Sequence, residues 1–234
     1  MIAPLLATAR RALGLLLARS RLPRAVLPVL AVALLGACAS APTRVLIALP
    51  PAAAPEQAPR GDKASASAAV LLVRRLVIPE YMASPKPRYW SATATLAEWP
   101  DAYWAERIEI GMAREFVSAL RRRLPGWTVC DATCGDLVPD LTLKIELLRL
   151  DTWRQDQSLA ATARAELSGH RITASLWPTL PGGRTFTMPL PADSAQGQAQ
   201  AMSQLLGAIA DASVAAIDEA ASAPGVGSGA PGLR

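Results

Sequence analysis

The stretch that decides the fold is Asp140-Leu-Thr-Leu-Lys-Ile-Glu-Leu-Leu-Arg-Leu-Asp-Thr-Trp153. Apolar residues occupy every second position from Leu141 to Leu147, and threonine, lysine and glutamate alternate with them. Because successive side chains of a strand point to opposite faces, this period of two predicts a long strand with one buried face. The sequence on both sides of it is interpreted as further strands and helices that pack around it.

Shorter strands are predicted on both sides of this central strand. The connections at Gly169 and Pro181-Gly182-Gly183 are hairpin signals, which predict a meander of antiparallel strands. Earlier apolar runs end at prolines, which cannot donate to a strand ladder. The predicted strands cover Arg44 to Leu49, Ala69 to Pro79, Tyr89 to Leu96, Trp127 to Cys130, Leu159 to Leu167, Arg171 to Trp177 and Thr185 to Leu190.

Two amphipathic helices complete the predicted fold. In the first, Asp101 is placed to cap the N-terminus, apolar residues recur every four positions from Trp104 to Leu120, and Pro125 ends the helix. The second is rich in alanine and has its apolar face between Met202 and Ala220. The predicted fold class is therefore α+β, a single domain whose mixed, mostly antiparallel sheet is packed by two amphipathic helices.

The last turn of the first predicted helix carries three arginines, Arg121, Arg122 and Arg123. Cations at this position suit the negative end of the helix dipole, and each contributes about 0.3 to 1 kcal/mol. A binding site for an anion or a lipid headgroup is the alternative interpretation.

The N-terminus has the pattern of a bacterial lipoprotein signal. Five arginines and no acidic residue precede an apolar run from Ala25 to Gly36, which is shorter than the roughly 20 residues of a membrane-spanning helix. The run ends in Leu35-Gly36-Ala37-Cys38, the order of residues that lipoprotein processing uses. Residues 1–37 are interpreted as a signal peptide, and Cys38 as the lipidated first residue. The alternative is an ordinary signal peptide or an uncleaved anchor.

Lipidation at Cys38 would determine both the charge and the location of the mature protein. Five of the 24 basic residues would be removed and none of the 19 acidic ones, which leaves 19 of each. This balance gives no basic footprint for nucleic acid. Ala39 follows the cysteine, where an aspartate commonly marks retention in the inner membrane. The expected location is therefore the periplasmic face of the outer membrane.

The mature chain is predicted to have one folded body between two less regular segments. Residues 38–68 are interpreted as a lipidated N-terminus with a short strand and a linker, and residues 69–221 as the α/β domain. Residues 222–234, rich in glycine, proline and serine, are interpreted as a disordered tail.

The other cysteines and the single histidine do not suggest catalysis. Cys130 and Cys134 are predicted to form a small-loop disulfide in an oxidising compartment, with free thiols as the alternative. A closed zinc site needs four ligands, and His170 is the only histidine, so no metal site is predicted. The sequence also contains no nucleophile elbow, phosphate loop or zinc-protease motif. It is therefore interpreted as non-enzymatic, with no cofactor beyond a covalent diacylglycerol and an N-linked acyl chain such as palmitate on Cys38.

Aromatic residues cluster around the junction between the predicted strand Tyr89 to Leu96 and the first helix. They suggest a contact for a lipid or a protein partner, and packing in the core is the alternative. The candidate contact residues are Tyr81, Trp99, Tyr103 and Trp104, with Trp90 beside them.

Several of these features together resemble one protein family. Arg44-Val-Leu-Ile-Ala-Leu49 after the lipoprotein signal, Leu76-Val-Ile-Pro79-Glu-Tyr81, and Trp99 followed by Tyr103-Trp104-Ala105-Glu106 precede a long helix, a meander and a final helix. This order resembles the ABC-type transport auxiliary lipoproteins of the PqiC or YmbA type. The family usually has leucine and Asp-Arg-Pro after the tyrosine, whereas Met82-Ala83-Ser84-Pro85 stands here.

The resemblance implies a non-enzymatic, lipid-anchored component of an MCE-type (mammalian cell entry) lipid-transport system. Its expected partners are the outer membrane, an MCE-domain protein of an ABC-type transporter, and other copies of itself in a ring. The alternative is an interaction lipoprotein of another envelope machine, such as an activator of cell-wall synthesis or an assembly accessory.

Overall fold

The structure is a computed structural model, and it describes residues 43–52, 69–169, 173–177 and 182–222. From Arg44 onward the described residues form one compact unit. The predicted signal peptide, Cys38, most of the linker, His170 and residues 223–234 lie outside the described residues.

Ten strands and two helices make up the described part of the chain. A short 3-10 turn, Glu80–Met82, lies between the second and third strands. The strands are β1 (Val45–Ile47), β2 (Ala69–Val73), β3 (Arg88–Ala92), β4 (Thr95–Glu98), β5 (Ala102–Trp104), β6 (Trp127–Asp131), β7 (Leu141–Trp153), β8 (Ser158–Gly169), β9 (Thr173–Ser175) and β10 (Arg184–Pro189), and the helices are α1 (Ile108–Arg123) and α2 (Ala195–Ser222).

The central sheet has eight strands and mixed orientation. Its main order is β10-β8-β7-β2-β6, with β9 on β8 and the β3–β4 hairpin at the end of β7. The long ladders β7–β8 and β8–β10 are antiparallel, whereas β2 pairs in parallel with both β6 and β7. The predicted α+β fold with two helices is confirmed.

Both helices contribute fully buried apolar side chains to one core with the sheet. Each such side chain contributes about 1.5 to 3 kcal/mol by its burial. Small alanines on β8 are also buried, which lets the alanine-rich α2 lie close to the sheet. The largest fully buried side chains include Met112, Phe116 and Leu120 of α1, Leu143, Ile145 and Leu147 of β7, and Met202 and Leu205 of α2.

The short strand β1 packs into this folded body although a long connection separates it from β2. It forms a two-stranded parallel sheet with β5, with Ile47 paired to Trp104. Ile47, Leu49 and Ala52 are buried in the core. Residues 43–52 are therefore part of the same folded domain as the central sheet and the two helices.

The start of the first helix differs from the prediction. Asp101 does not cap it, because α1 begins at Ile108 and the residues after Asp101 form β5. The backbone N–H of Val45 donates to the carbonyl of Asp101 at 2.8 Å, and Asp101 has a φ of 55°. Pairing with a strand from a distant part of the chain thus overrides the local four-residue apolar spacing that includes Trp104.

Two predicted strands are also shorter or divided in the structure. The stretch Tyr89 to Leu96 is a hairpin of β3 and β4, with Trp90 opposite Leu96. The run expected to continue to Pro79 ends as a regular strand at Val73, and only an isolated bridge from Val77 to Glu146 follows. In both cases the residue pattern of the stretch did not reveal where the backbone turns.

A bulge changes the phase of β7 near its end. The register with β8 shifts between Leu147 and Arg149. Regular alternation from Leu147 would have put Leu150 on the other face of the strand, but the shift leaves Leu150 fully buried. The residue after it, Asp151, is only 3% exposed. Because successive side chains of a strand point to opposite faces, Asp151 lies on the face opposite to Leu150, where Tyr81 and Trp90 contact its carboxylate.

Cys130 at the end of β6 and Cys134 in the following connection form a disulfide in the structure, with their Cα atoms 5.1 Å apart. The connection then runs back past β2, where the N–H of Asp140 donates to the carbonyl of Val70 at 2.9 Å. The disulfide closes a small loop at the start of this connection.

Both thiols are expected to resist alkylation in the native protein, because each is held in the disulfide. Iodoacetamide treatment followed by peptide mass spectrometry would measure this. The control is the same treatment after reduction, which should label both residues. Labelling of both cysteines without reduction would contradict the prediction.

Candidate functional site

The predicted aromatic contact residues lie around β3, β4 and β5, but they occupy three different environments. Tyr81 faces a buried carboxylate, Trp99 and Trp104 lie in the core, and Tyr103 reaches the surface. Each environment has its own contacts and therefore its own structural consequence.

Tyr81 belongs to a hydrogen-bonded cluster around Asp151. Its hydroxyl donates to Asp151 Oδ1 at 2.8 Å and accepts from the backbone N–H of Leu150 at 3.1 Å. Trp90 Nε1 donates to the same carboxylate oxygen at 2.9 Å, and Arg149 Nε donates to the other at 2.9 Å. The cluster joins the 3-10 turn and β3 to the end of β7.

The phenol of Tyr81 is harder to ionise in this environment. Burial, followed by the hydrogen bond to the Asp151 carboxylate and its charge, raises the pKa of Tyr81 to about 12. A pKa that is raised in the folded state contributes stability below the unfolded value near 10, and this contribution is lost as the pH rises from 10 to 12.

An alkaline titration should show this shift directly. One of the three tyrosines is expected to ionise near pH 12, followed by phenolate absorbance. The Tyr81→Phe variant is expected to lose that step and keep the rest of the curve. A step near pH 12 that persists in the variant would show that another group produces it.

Trp99 connects the end of β4 to α2. Its Nε1 donates to Gln198 Oε1 at 2.7 Å, and Gln198 Nε2 donates to the carbonyl of Arg88 at 2.8 Å. Gln198 is completely buried, so both of its polar atoms would be costly to leave unpaired.

An exposed cation covers the outer side of Trp99. The Arg154 guanidinium lies 4.8 Å from the Trp99 ring centroid and 5.1 Å from that of Tyr89. It also donates to both carboxylate oxygens of Asp193, at 2.8 and 3.0 Å. These hydrogen bonds raise the pKa of Arg154 and lower the pKa of Asp193. Both groups therefore stay charged over the physiological pH range.

Trp99 and Trp104 are 5% and 8% exposed, and both belong to the core. Their burial favours the core-packing interpretation for these two residues. Tyr81 and Trp90 are half-buried and use their polar atoms on Asp151. The remaining candidate is Tyr103.

Tyr103 lies on the outer face of the β1–β5 pair, directly across from Leu46, which is 67% exposed. The Arg44 guanidinium lies 5.4 Å from the ring centroid, and the Lys86 ammonium lies 5.1 Å from it. Lys86 is also within 3.4 Å of the Glu98 carboxylate. The result is a surface with an apolar side chain, an aromatic ring and two cations, here named the β1 face.

The three arginines at the end of α1 bind groups within the protein. Arg121 donates to the carbonyl of Val129, and Arg122 donates to Ser118 and to the carbonyl of Ala52. Arg123 donates to both oxygens of Asp211 on α2, at 2.6 and 2.9 Å, and its side chain is only 5% exposed. Their contacts favour a structural role over an anion site.

Sequence reasoning missed Asp151, Gln198 and Arg154. For Asp151 a signal exists, because a lone aspartate stands among apolar residues in the clearest strand of the chain. Gln198 and Arg154 lie in polar stretches where nothing in the sequence distinguishes them from surface residues. Their partners are far away along the chain, 99 residues in the case of Trp99 and Gln198.

The polar clusters of the site hold parts of the fold together. Within the described ranges, no group of three or more His, Cys, Asp or Glu side chains is placed to hold a metal ion. No helix of that part of the chain is long and apolar enough to cross a membrane. The polar clusters serve to tie β3, β4 and the 3-10 turn to β7 and α2.

Comparison with solved structures shows the fold. A crystal structure of an uncharacterized protein is 17% identical, with a TM-score of 0.56, over 76% of this chain and 99% of that one. Protein XCC0632 from Xanthomonas campestris, of family DUF330, is 16% identical with the same TM-score and the same coverage. Lipoprotein GNA1162 from Neisseria meningitidis is 16% identical over 64% of this chain and 99% of its own, with a TM-score of 0.31. Among curated protein sequences, none matches the chain significantly.

The protein thus shares its mixed α+β fold with the first two of these structures, whose TM-scores are 0.56. The family model of the ABC-type transport auxiliary lipoprotein component matches residues 48–214, which is well over half of the chain. The protein belongs to this family, and the resemblance noted in the sequence is confirmed. As a member of a lipoprotein family it is a membrane-anchored protein of the cell envelope, associated with ABC-type transport.

Proposed function

We propose that this protein is anchored through Cys38 on the periplasmic face of the outer membrane, where it serves as a non-enzymatic component of an MCE-type lipid-transport system. The observation that carries the proposal is the family match over residues 48–214. The lipoprotein signal ending at Cys38 supports the anchor, and Ala39 after the cysteine supports the outer membrane.

The mechanism proposed is scaffolding and gating, in which no covalent bond of the cargo is made or broken. A domain that holds a tunnel protein against a membrane has to be rigid. Two contacts between distant parts of the chain support such rigidity: Arg123 on α1 binds Asp211 on α2, and Trp99 after β4 binds Gln198 on α2.

The partners proposed are an MCE-domain protein reaching from the inner membrane and other copies of this chain in a ring. A ring of subunits would contact the whole rim of a tunnel, whereas a single subunit of this size would contact only part of that rim. The lipid cargo would pass through the tunnel, with an apolar groove of this chain or a pore formed by its copies continuing the path.

Purification from the native envelope in mild detergent tests the proposal. Mass spectrometry should identify an MCE-domain protein and phospholipid beyond the covalent anchor, and native mass spectrometry should give more than one copy of the chain. The matched control is the Cys38→Ser variant purified in the same way. Recovery of a peptidoglycan synthase or an assembly factor, without such lipid, would instead support an interaction lipoprotein of another envelope machine.

A further inference from the structure

The β1 face lies close to the predicted anchor. Only five residues separate Arg44 from Cys38, and the six Cα-to-Cα steps span at most about 22 Å even when fully extended. With Cys38 acylated, Arg44, directly before β1, is therefore held within about 22 Å of the membrane surface. A body tethered this tightly has one side that stays next to the bilayer.

The side chains on this part of the body match the chemistry of a membrane surface. Leu46 is 67% exposed, although it belongs to a regular strand. Tyr103 combines an aromatic body with a polar tip, which is the property that concentrates tyrosine at the headgroup level of membranes.

The charges around Tyr103 suit a phospholipid headgroup. Arg44 and Lys86 both lie against the ring, and basic residues near an anionic membrane surface are attracted to it. Glu98 neutralises part of the charge of Lys86, and the exposed Asp101 lies at the entry to β5. Arg44 has no salt bridge within the described residues, so it is the cation that remains available.

We propose that the β1 face rests on the membrane that holds Cys38, with Leu46 and Tyr103 at the headgroup boundary and Arg44 on anionic phospholipid headgroups. The inference depends on the lipidation proposed above. It adds a second, non-covalent contact, which fixes the orientation of the body relative to the bilayer. The tether limits how far Arg44 can lie from the bilayer, and the contact determines which side chains meet the headgroups.

A site-directed probe tests the contact in the full mature lipoprotein. Leu46→Cys supplies a thiol for an environment-sensitive fluorophore, while acylation blocks Cys38 and the disulfide occupies Cys130 and Cys134. The protein is reconstituted into vesicles of phosphatidylethanolamine and phosphatidylglycerol that carry a headgroup-level nitroxide quencher. Val138→Cys is the matched control, because Val138 is an apolar residue that is 84% exposed on another connection.

The probe at position 46 is expected to be quenched and the probe at position 138 to remain in water. In the protein labelled at position 46, Arg44→Glu should lower the ratio of molecules with the β1 face on the membrane to molecules with this face in water, at least about fivefold on anionic vesicles. Arg74→Glu, which makes the same charge change at an exposed position elsewhere, should leave this ratio unchanged. Thermal unfolding would verify that each variant is folded.

Three results would overturn the inference. If the two probes are equally quenched or equally exposed, while the intact mass shows that Cys38 is acylated, the specific contact is excluded and the lipid anchor is unaffected. A probe at position 46 that is exposed on vesicles but shielded in native envelopes shows that the face binds a protein. An unmodified Cys38 by intact mass overturns the anchor itself, and the inference with it.

Discussion

Replacing Asp151 with alanine is expected to lower the free energy of unfolding by about 2 to 4 kcal/mol. The carboxylate is 3% exposed and accepts hydrogen bonds from Tyr81, Trp90 and Arg149. Its removal leaves the hydroxyl of Tyr81 and the indole N–H of Trp90 without an acceptor in a partly buried place, and unpaired donors there are costly.

The measurement is thermal or urea unfolding followed by circular dichroism. For a folded body of this size, the loss corresponds to a decrease in Tm of roughly 5 to 15 °C. Asp156→Ala is the matched control, because Asp156 is an exposed aspartate in the turn after the same strand. A variant of Asp151 as stable as the Asp156 control would show that the cluster does not hold the 3-10 turn and β3 to β7.

Replacing Cys38 with serine is expected to abolish retention on the outer membrane and, with it, the proposed transport function. Each buried methylene of an acyl chain contributes about 0.8 kcal/mol to membrane binding, so two or three chains bind a protein in effect permanently. Without the thiol no chain can be attached. The protein should then be released in soluble form or remain as an uncleaved precursor.

Membrane fractionation combined with the intact mass of the product measures this outcome. The matched control is the double variant Cys130→Ser with Cys134→Ser, which removes the other two thiols and should stay acylated and membrane-bound. If the Cys38→Ser protein were found on the outer membrane with full activity, neither the anchor nor the proposed role would stand.

Local periodicity in the sequence predicted most of the regular elements. The alternation from Leu141 to Leu147 gave the central strand, and the four-residue spacing from Ile108 to Leu120 gave α1. These patterns are reliable because a buried face imposes its own period on each element, whatever the element packs against. The class of fold followed from the order of the elements.

The candidate site was predicted only in part. The aromatic residues were recognised, yet their separation into a cluster around the buried Asp151, a core pair and the partly exposed Tyr103 was not. A tryptophan in a strand has the same sequence pattern whether its indole N–H meets a buried glutamine, as in Trp99, or a carboxylate, as in Trp90. The burial of the ring depends on neighbours that the local pattern does not specify.

The sequence by itself determined the lipoprotein signal pattern, the fold class and the family resemblance, because these depend on residue order and on periodicity within single segments. Only the tertiary structure decided that Asp101 precedes a strand, that Asp151 is buried, and that Tyr103 faces outward beside Leu46. Each of these depends on pairing between segments far apart in the chain, such as β1 with β5 and Tyr81 with Asp151. A contact between distant segments leaves no periodic pattern in the sequence. It can therefore be recognised only in the folded structure, where the two segments lie together.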